Sequence, residues 1–377
     1  MSTDALPDEW EILRDWLPED LHQRAVAHRF FRRARGLTDA ECWLRLILMH
    51  VAGGLSLDQT VMRARELGLA QISAVALFKR LRGAGEWLRD LCQHLLAEQQ
   101  RRLGQCAWPG RYRVRAVDAT DVEEPGHTGT SWRIHYSIGL PALVCDHYEL
   151  TDQSGGEKLG RFEFHPGELV LADRGYSHRG GAAQVLDSGA ALLMRWNPAV
   201  FPVKAKGGRD FDLLGQLRQL PGREAREWRI QFEQQNKIYP LRLCAIRKSR
   251  VAAERARRKV LEKARTNGTQ AQKQPLELAE YILVLTSLPQ AEFSASQVLQ
   301  LYRCRWQVEL AFKRLKSLLS AGHVPKTDDR SARAWMQAKI LTSLLLERLL
   351  IEAKIFSPWG YSLRDPEPLA NGAGGAR

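Results

Sequence analysis

Near residue 112 the hydrophobic periodicity of the chain changes, and that change demands a two-part fold. Residues 1 to about 105 carry apolar positions at helical spacing throughout. Thr38 with Glu41, and Ser56 with Gln59, each fit a capping box, in which a hydroxyl satisfies a free amide and the later side chain reaches back. The second box opens a helix over Leu57 to Leu67, closed near Gly68. Another helical stretch starts near Ser73 and carries Lys79, Arg80 and Arg82. Helix, short turn, basic helix is the shape of a helix-turn-helix, whose second helix enters a DNA groove. Two helices with a glycine between them are equally a staple of helical bundles, so both readings stand.

Beyond 112 the spacing is that of strands. Arg113 to Val117 alternates charged and apolar residues and leads into Asp118; Trp132 to Ile138 and Ala142 to Leu150 read as two more strands. Leu169 to Ala172 is a short apolar run ending at Asp173, Ala182 to Leu186 suits a helix, and Ala190 to Trp196 a strand. This order indicates an α/β or α+β sheet domain. Loop residues then interrupt it. Within 197–290, Trp228 to Phe232 and Tyr239 to Ile246 form a predicted hairpin, Val251 to Arg265 a very basic helix, and Tyr281 to Leu285 a strand, read together as an insertion with its own small sheet. Ser296 to Leu319 reads as one long helix and Arg333 to Ile355 as a second. The expected division is a helical domain over 1–108, a catalytic core from 109–196 and 291–357, a β-rich insertion over 197–290, and a disordered tail over 358–377.

Charge narrows the partners. Lys and Arg outnumber Asp and Glu 56 to 43, a formal net charge of +13, which calls for a polyanion: nucleic acid or an anionic membrane surface. No apolar run reaches the roughly 18 residues of a spanning helix, and Met1 to Trp10 is acidic without an apolar core. A cytoplasmic protein is expected, without a membrane partner. The six cysteines show no Cys-x-x-Cys pair, so neither a zinc site nor a disulfide frame is expected. There is no Gly-x-x-x-x-Gly-Lys-Ser/Thr loop to cradle a nucleotide triphosphate. His127, His135, His147, His165 and His178 are close in sequence but lack ligand spacing, and read as sheet histidines.

The most informative segment is Tyr302-Arg-Cys-Arg-Trp-Gln-Val-Glu-Leu-Ala-Phe-Lys-Arg-Leu-Lys316. At about 100° per residue, Tyr302, Arg305, Glu309 and Lys316 share an arc of roughly 60° on one helix face. Leu301, Val308, Phe312, Leu315 and Leu319 occupy the neighbouring arc as a core face. A carboxylate among cations is by itself an ordinary salt-bridged surface. Asp118 and Asp173, each read at the end of an apolar strand, change its meaning. Strand-end carboxylates beside a helix-borne Glu suit two divalent cations about 4 Å apart on a phosphodiester, and oxygen ligands favour Mg²⁺ or Mn²⁺. Taken singly, Asp118 and Asp173 are as readily turn or cap residues.

With Val117-Asp118-Ala119-Thr120, Ala172-Asp173-Arg174-Gly175-Tyr176 and the Tyr302, Arg305, Glu309, Lys316 helix in order, the chain resembles the bacterial DDE transposases of insertion-sequence family four. That family's signature is Tyr, two residues, Arg, three residues, Glu, six residues, Lys, and every position matches; the resemblance as a whole runs from about 112 to 320. The resemblance implies an RNase H-like catalytic core with a β-rich insertion before the Glu. It makes Asp118, Asp173 and Glu309 the catalytic, metal-binding triad for two ions of Mg²⁺ or Mn²⁺. Tyr302 and Arg305 would grip the phosphate of the transposon end and Lys316 the DNA backbone; apart from the resemblance, Lys79, Arg80 and Arg82 of the possible helix-turn-helix are expected DNA contacts, and Arg174 either approaches a phosphate or bridges to an acid. The resemblance also implies a bacterial, nucleoid-associated enzyme that pairs as a homodimer on DNA and joins element ends to target DNA. In relatives that form a DNA hairpin, a Trp of the insertion stacks on a flipped base; the matching stretch, Tyr281-Ile-Leu-Val-Leu-Thr-Ser, has none. The alternatives are a stand-alone metal-dependent endonuclease on the same core and a non-catalytic DNA-binding regulator.

Overall fold

The computed structural model describes residues 9–31, 37–103, 111–124, 131–140, 142–220, 222, 224–319, 321–325 and 328–355. The expected tail over 358–377 and His127 lie outside them. The chain splits into two compact units: Met1–Gly104 with Glu123–His127 and Arg314–Arg377, and Gln105–Val122 with Thr128–Lys313.

The first unit is helical. It opens with α1 (Glu9–Arg14), α2 (Leu21–Ala27), α3 (Ala40–Val51), α4 (Leu57–Glu66), α5 (Ala74–Gly83) and α6 (Gly85–Leu103). The Ser56 box forms as expected: Ser56 Oγ accepts from the Gln59 amide at 3.1 Å and Gln59 Oε1 from the Ser56 amide at 2.9 Å. The Thr38 box does not cap α3. Asp39 does, its carboxylate accepting from the Glu41 amide at 2.9 Å, because a carboxylate one residue nearer the helix reaches the same free donors. Between α4 and α5 the chain turns through 67–73, with Gly68 at a φ of 66° that other side chains rarely adopt.

The second unit is built on one nine-stranded sheet. Its strands are β1 (Arg113–Val122), β2 (Trp132–Leu140), β3 (Val144–Asp152), β4 (Glu168–Ala172), β5 (Ala191–Arg195), β6 (Lys204–Ala205), β7 (Arg226–Gln234), β8 (Lys237–Arg247) and β9 (Tyr281–Thr286), in the order β3-β2-β1-β4-β5-β9-β8-β7-β6. β1, β2 and β3 are antiparallel neighbours; β4 and β5 run parallel to β1, and α7 (Arg179–Asp187) links them. The 197–290 segment does not make a separate sheet. It adds α8 (Leu213–Arg218), α9 (Arg250–Thr266) and α10 (Lys273–Leu278), while its strands extend the first sheet through the β5–β9 pairing. The core is continuous for the same reason: Val170, Leu192 and Met194 join Ile230, Leu243 and Leu285 in a single apolar cluster. The β7–β8 turn uses only Gln235 and Asn236, both at positive φ, the two-residue geometry that matches strand twist.

α11 (Ala295–Arg303) packs on β5, β7, β8 and β9, and α12 (Gln307–Lys313) packs on β1. The expected single helix over 296–319 is thus interrupted. A 3₁₀ turn spans Cys304–Trp306, and a π-helical turn spans Arg314–Leu318. The last helix, α13 (Asp329–Ile355), packs against α3, α5 and α6 in the helical unit. Among the described residues no helix is long and apolar enough to cross a membrane.

Candidate active site

Strand register brings the first two acids together. In the parallel β1–β4 pair, Val117 lies opposite Ala172, so the next residues, Asp118 and Asp173, leave adjacent strands side by side. Asp173 follows the last residue of β4, as expected, and precedes a 3₁₀ turn, Arg174–Tyr176. Asp118 does not end its strand. β1 continues to Val122 because β2 pairs it as far as Trp132.

The segment joining α11 to α12 crosses this point. Tyr302 donates its hydroxyl to Asp173 Oδ1 at 3.1 Å. The Arg305 guanidinium donates through Nη1 to Asp118 Oδ2 and through Nη2 to Glu309 Oε1, each at 2.9 Å, and its Nε lies 3.9 Å from Asp173 Oδ1. One guanidinium therefore contacts all three acids, a use of its fixed fork that an ammonium could not copy. Asp118 and Arg305 are largely buried, whereas the Glu309 side chain is 61% exposed. Burial raises the Asp118 carboxyl to about 6, overriding the Ala119 amide and Arg305, with Asp173 and Glu157 pushing the same way. Arg305 is held more firmly protonated than usual: burial works against its charge, but the acids outweigh it. Burial and then Asp173 raise the Tyr302 phenol, which keeps it a donor.

Among the described residues no group of three or more His, Cys, Asp or Glu side chains is gathered so as to hold a metal ion. What stands among Asp118, Asp173 and Glu309 is the Arg305 guanidinium. The donors are nonetheless all carboxylate oxygens, the chemistry of a hard divalent cation rather than zinc. Two of the histidines are engaged elsewhere. Burial lowers His135 to about 4 and its Nε2 contacts Thr151 Oγ1 at 3.0 Å, while His147, also lowered by burial, packs edge-on against Phe162.

The remaining candidates fall elsewhere. Arg174 donates to Asn197 Oδ1 at 2.9 Å and lines a cavity of about 500 Å³ with Arg195, Lys248, Lys259 and Lys263. No acid lines that cavity. Burial, then Arg195 and Arg174, lower the Lys248 ammonium to about 8. The basic helix read from sequence supplies Lys259 and Lys263, while Arg195 ends β5 and Lys248 follows β8, positions that no sequence motif marks. Tyr281 is buried, as a strand core residue. Lys316 is exposed on the π-helical turn, within the helical unit. There too, Lys79 is exposed, Arg82 pairs with Asp328 at 2.9 Å, and Arg80 donates to the Phe30 carbonyl while lying over the Phe30, Phe31 and Trp43 rings. Arg80 is therefore a packing residue of the bundle.

Comparison with known proteins gives a consistent picture. The chain matches the transposase DDE domain over residues 109–345. It is 33% identical over 361 residues to InsL of insertion sequence element IS186A from Escherichia coli (strain K12), covering 93% of this chain and 96% of that protein. The transposase for insertion sequence element IS421 of Escherichia coli is also 33% identical, over 362 residues and the same shares. Among solved structures, the piggyBac transposase synaptic complex with hairpin DNA aligns at a TM-score of 0.49 and 11% identity, covering 93% of this chain and 76% of that one.

Proposed function

Because the chain belongs to the insertion-sequence DDE transposases, we propose that it binds the inverted-repeat ends of its own element, cleaves them by metal-dependent hydrolysis and joins the freed 3′-hydroxyls to target DNA. The observation that carries this reading is the convergence of Asp118, Asp173 and Glu309 on one guanidinium. The order β3-β2-β1-β4-β5, antiparallel through β1 and parallel beyond it, supports an RNase H-like core. The Tyr302, Arg305, Glu309, Lys316 spacing supports placement in family four.

Asp118, Asp173 and Glu309 would hold two Mg²⁺ or Mn²⁺ ions, which when bound activate the attacking oxygen and stabilise the leaving one. The chain's own groups do the rest. Arg305 and Tyr302 hold the acids in place and present a guanidinium fork and a phenol to a phosphate of the element end. Arg174 and the basic cavity beside it take the DNA backbone, where cations with no lining acid gain most from a phosphate. Lys316, Lys79 and Arg82 are further backbone contacts, and the helical unit is the end-binding part. Joining two ends needs two active sites, so the working form is a homodimer on DNA, acting at the nucleoid.

The test combines purified protein, Mg²⁺, a labelled duplex carrying the element end and a plasmid target, with Glu309→Gln alongside. Joined products that vanish in the variant, with end binding retained, are expected; Asp118→Asn and Asp173→Asn should behave alike. Nicks without joining would point to an endonuclease. Binding without cleavage in any divalent metal would point to a DNA-binding regulator.

A further inference from the structure

Outside the residues named so far as ligands, one more carboxylate approaches the same centre. Glu157 lies in the loop between β3 and β4, and the two residues before it are clamped by guanidinium groups. Arg133 Nη1 donates to the Gly155 carbonyl at 2.8 Å, and Arg161 Nε donates to the Gly156 carbonyl at 3.0 Å. Each clamp is itself anchored, Arg133 on Asp121 at 2.8 Å and Arg161 on Glu149 at 2.9 Å. The backbone direction entering Glu157 is thus fixed, and the side chain is delivered over the Gly175 backbone. A Cβ at Gly175 would stand 1.6 Å from Glu157 Oε2. Gly175 has no left-handed φ, so what distinguishes it is this close approach, not backbone twist: a side chain there would displace the Glu157 carboxylate from its present position. The third residue of Asp173-Arg174-Gly175-Tyr176 makes room for a carboxylate.

The fourth residue of that motif supplies an independent sign. Tyr176 is 1% exposed, and its hydroxyl has no hydrogen-bond partner. A buried hydroxyl that has given up water for nothing is costly and marks a place where a partner arrives. The acids that act on this phenol are Asp118 and Glu157. Glu157 is half-buried and forms no hydrogen bond or ion pair among the described residues. An acceptor without a donor and a donor without an acceptor therefore stand beside Asp118. Charge balance points the same way: three carboxylates leave two divalent cations with one positive charge uncompensated, and a fourth cancels it.

We propose that Glu157 is a fourth carboxylate of the divalent-cation site, with the Tyr176 hydroxyl as its positioning group. The inference rests on reading Asp118, Asp173 and Glu309 as cation ligands, and it adds the loop after β3 to the centre. The experiment titrates Mn²⁺ into the full chain without DNA and follows free Mn²⁺ by electron paramagnetic resonance. Glu157→Gln is expected to weaken Mn²⁺ binding about tenfold or more and Tyr176→Phe several-fold, the range in which supporting groups act on a metal; Asp118→Asn should weaken it at least as much as Glu157→Gln. Wild-type Mn²⁺ affinity in Glu157→Gln, with affinity lost in Asp118→Asn, overturns the proposal and leaves the three-acid reading standing. Wild-type affinity in both variants removes the three-acid reading as well. Should Glu157→Gln fail to fold, Tyr176→Phe carries the test, since it preserves the ring and its packing; undiminished Mn²⁺ affinity there is equally fatal.

Discussion

Arg305 holds the three acids in the free chain, and the reading proposed above gives it a second partner, a phosphate of the element end; single substitutions can separate the two. Arg305→Ala should lower the salt slope of end binding by about one, the loss of one phosphate contact, measured by fluorescence anisotropy between roughly 50 and 200 mM salt. An unchanged slope would argue against that contact. Asp118 permits a test through stability. Its carboxyl stands near 6 in the folded chain against an ordinary 3.8, so folding favours the neutral form. That stabilisation is fully present below the ordinary value and is lost as pH rises through about 6. Asp118→Asn mimics the neutral acid, and in metal-free buffer it should raise stability at pH 8 by about 1–3 kcal/mol and change little at about pH 3, below the ordinary carboxyl value. Melting curves at the two pH values decide it. The triad and its Arg and Tyr partners were legible because residue type, order and spacing carried them. Glu157 was not, since it sits in a loop without periodicity, and its nearness to Gly175 exists only once two distant segments have folded.

At the scale of elements, α9 is the helix on which the proposed DNA contact is most easily separated from folding. None of its residues is buried, so its cations contribute little to folding. Lys259→Gln with Lys263→Gln should leave the melting temperature nearly unchanged, within about 0.5 kcal/mol of stability, while weakening DNA binding and flattening its salt dependence. A large loss of stability would mean that the cavity these lysines line is structural. The segment after α11 shows where periodicity stops informing. Apolar spacing near 3.6 over 296–319 predicts one helix and cannot register the 3₁₀ turn at Cys304–Trp306 or the π turn at Arg314–Leu318. Each shifts the register slightly, and only α12 packing on β1 while α11 packs across β5, β7, β8 and β9 makes the break worthwhile. Asp118 has a similar history: the polar residues after it read as a strand end, yet nine ladder partners on β2 carry β1 to Val122.

The sheet unit as a whole is held by its apolar core and by one buried ionic knot. Arg115 on β1 pairs with Asp146 on β3 at 2.9 Å and with Glu168 on β4 at 3.0 Å, tying strands on either side of it. Arg115→Met should cost on the order of 3 kcal/mol, because it leaves the nearly buried Glu168 with Arg113 as its remaining cation and the His165 amide as a neutral donor; urea unfolding would read this directly, and a neutral effect would show that these two suffice. The strands of this unit were largely legible, but their neighbours were not. Pairing of β5 with β9 joins residues 89 to 93 apart, and no local pattern encodes which edge an inserted strand will find. That continuity has a consequence for how the enzyme measures DNA. Asp173 follows β4, Arg174 is the next residue and lines the basic cavity, and Arg195 at the end of β5 and Lys248 just after β8, both from the same sheet, line it too. Grip and blade are therefore mounted on one jig. On the reading proposed above, a strand seated in the cavity would meet the acids at a single offset, and an element end one nucleotide too long or too short would be presented out of register instead of being accommodated by a hinge.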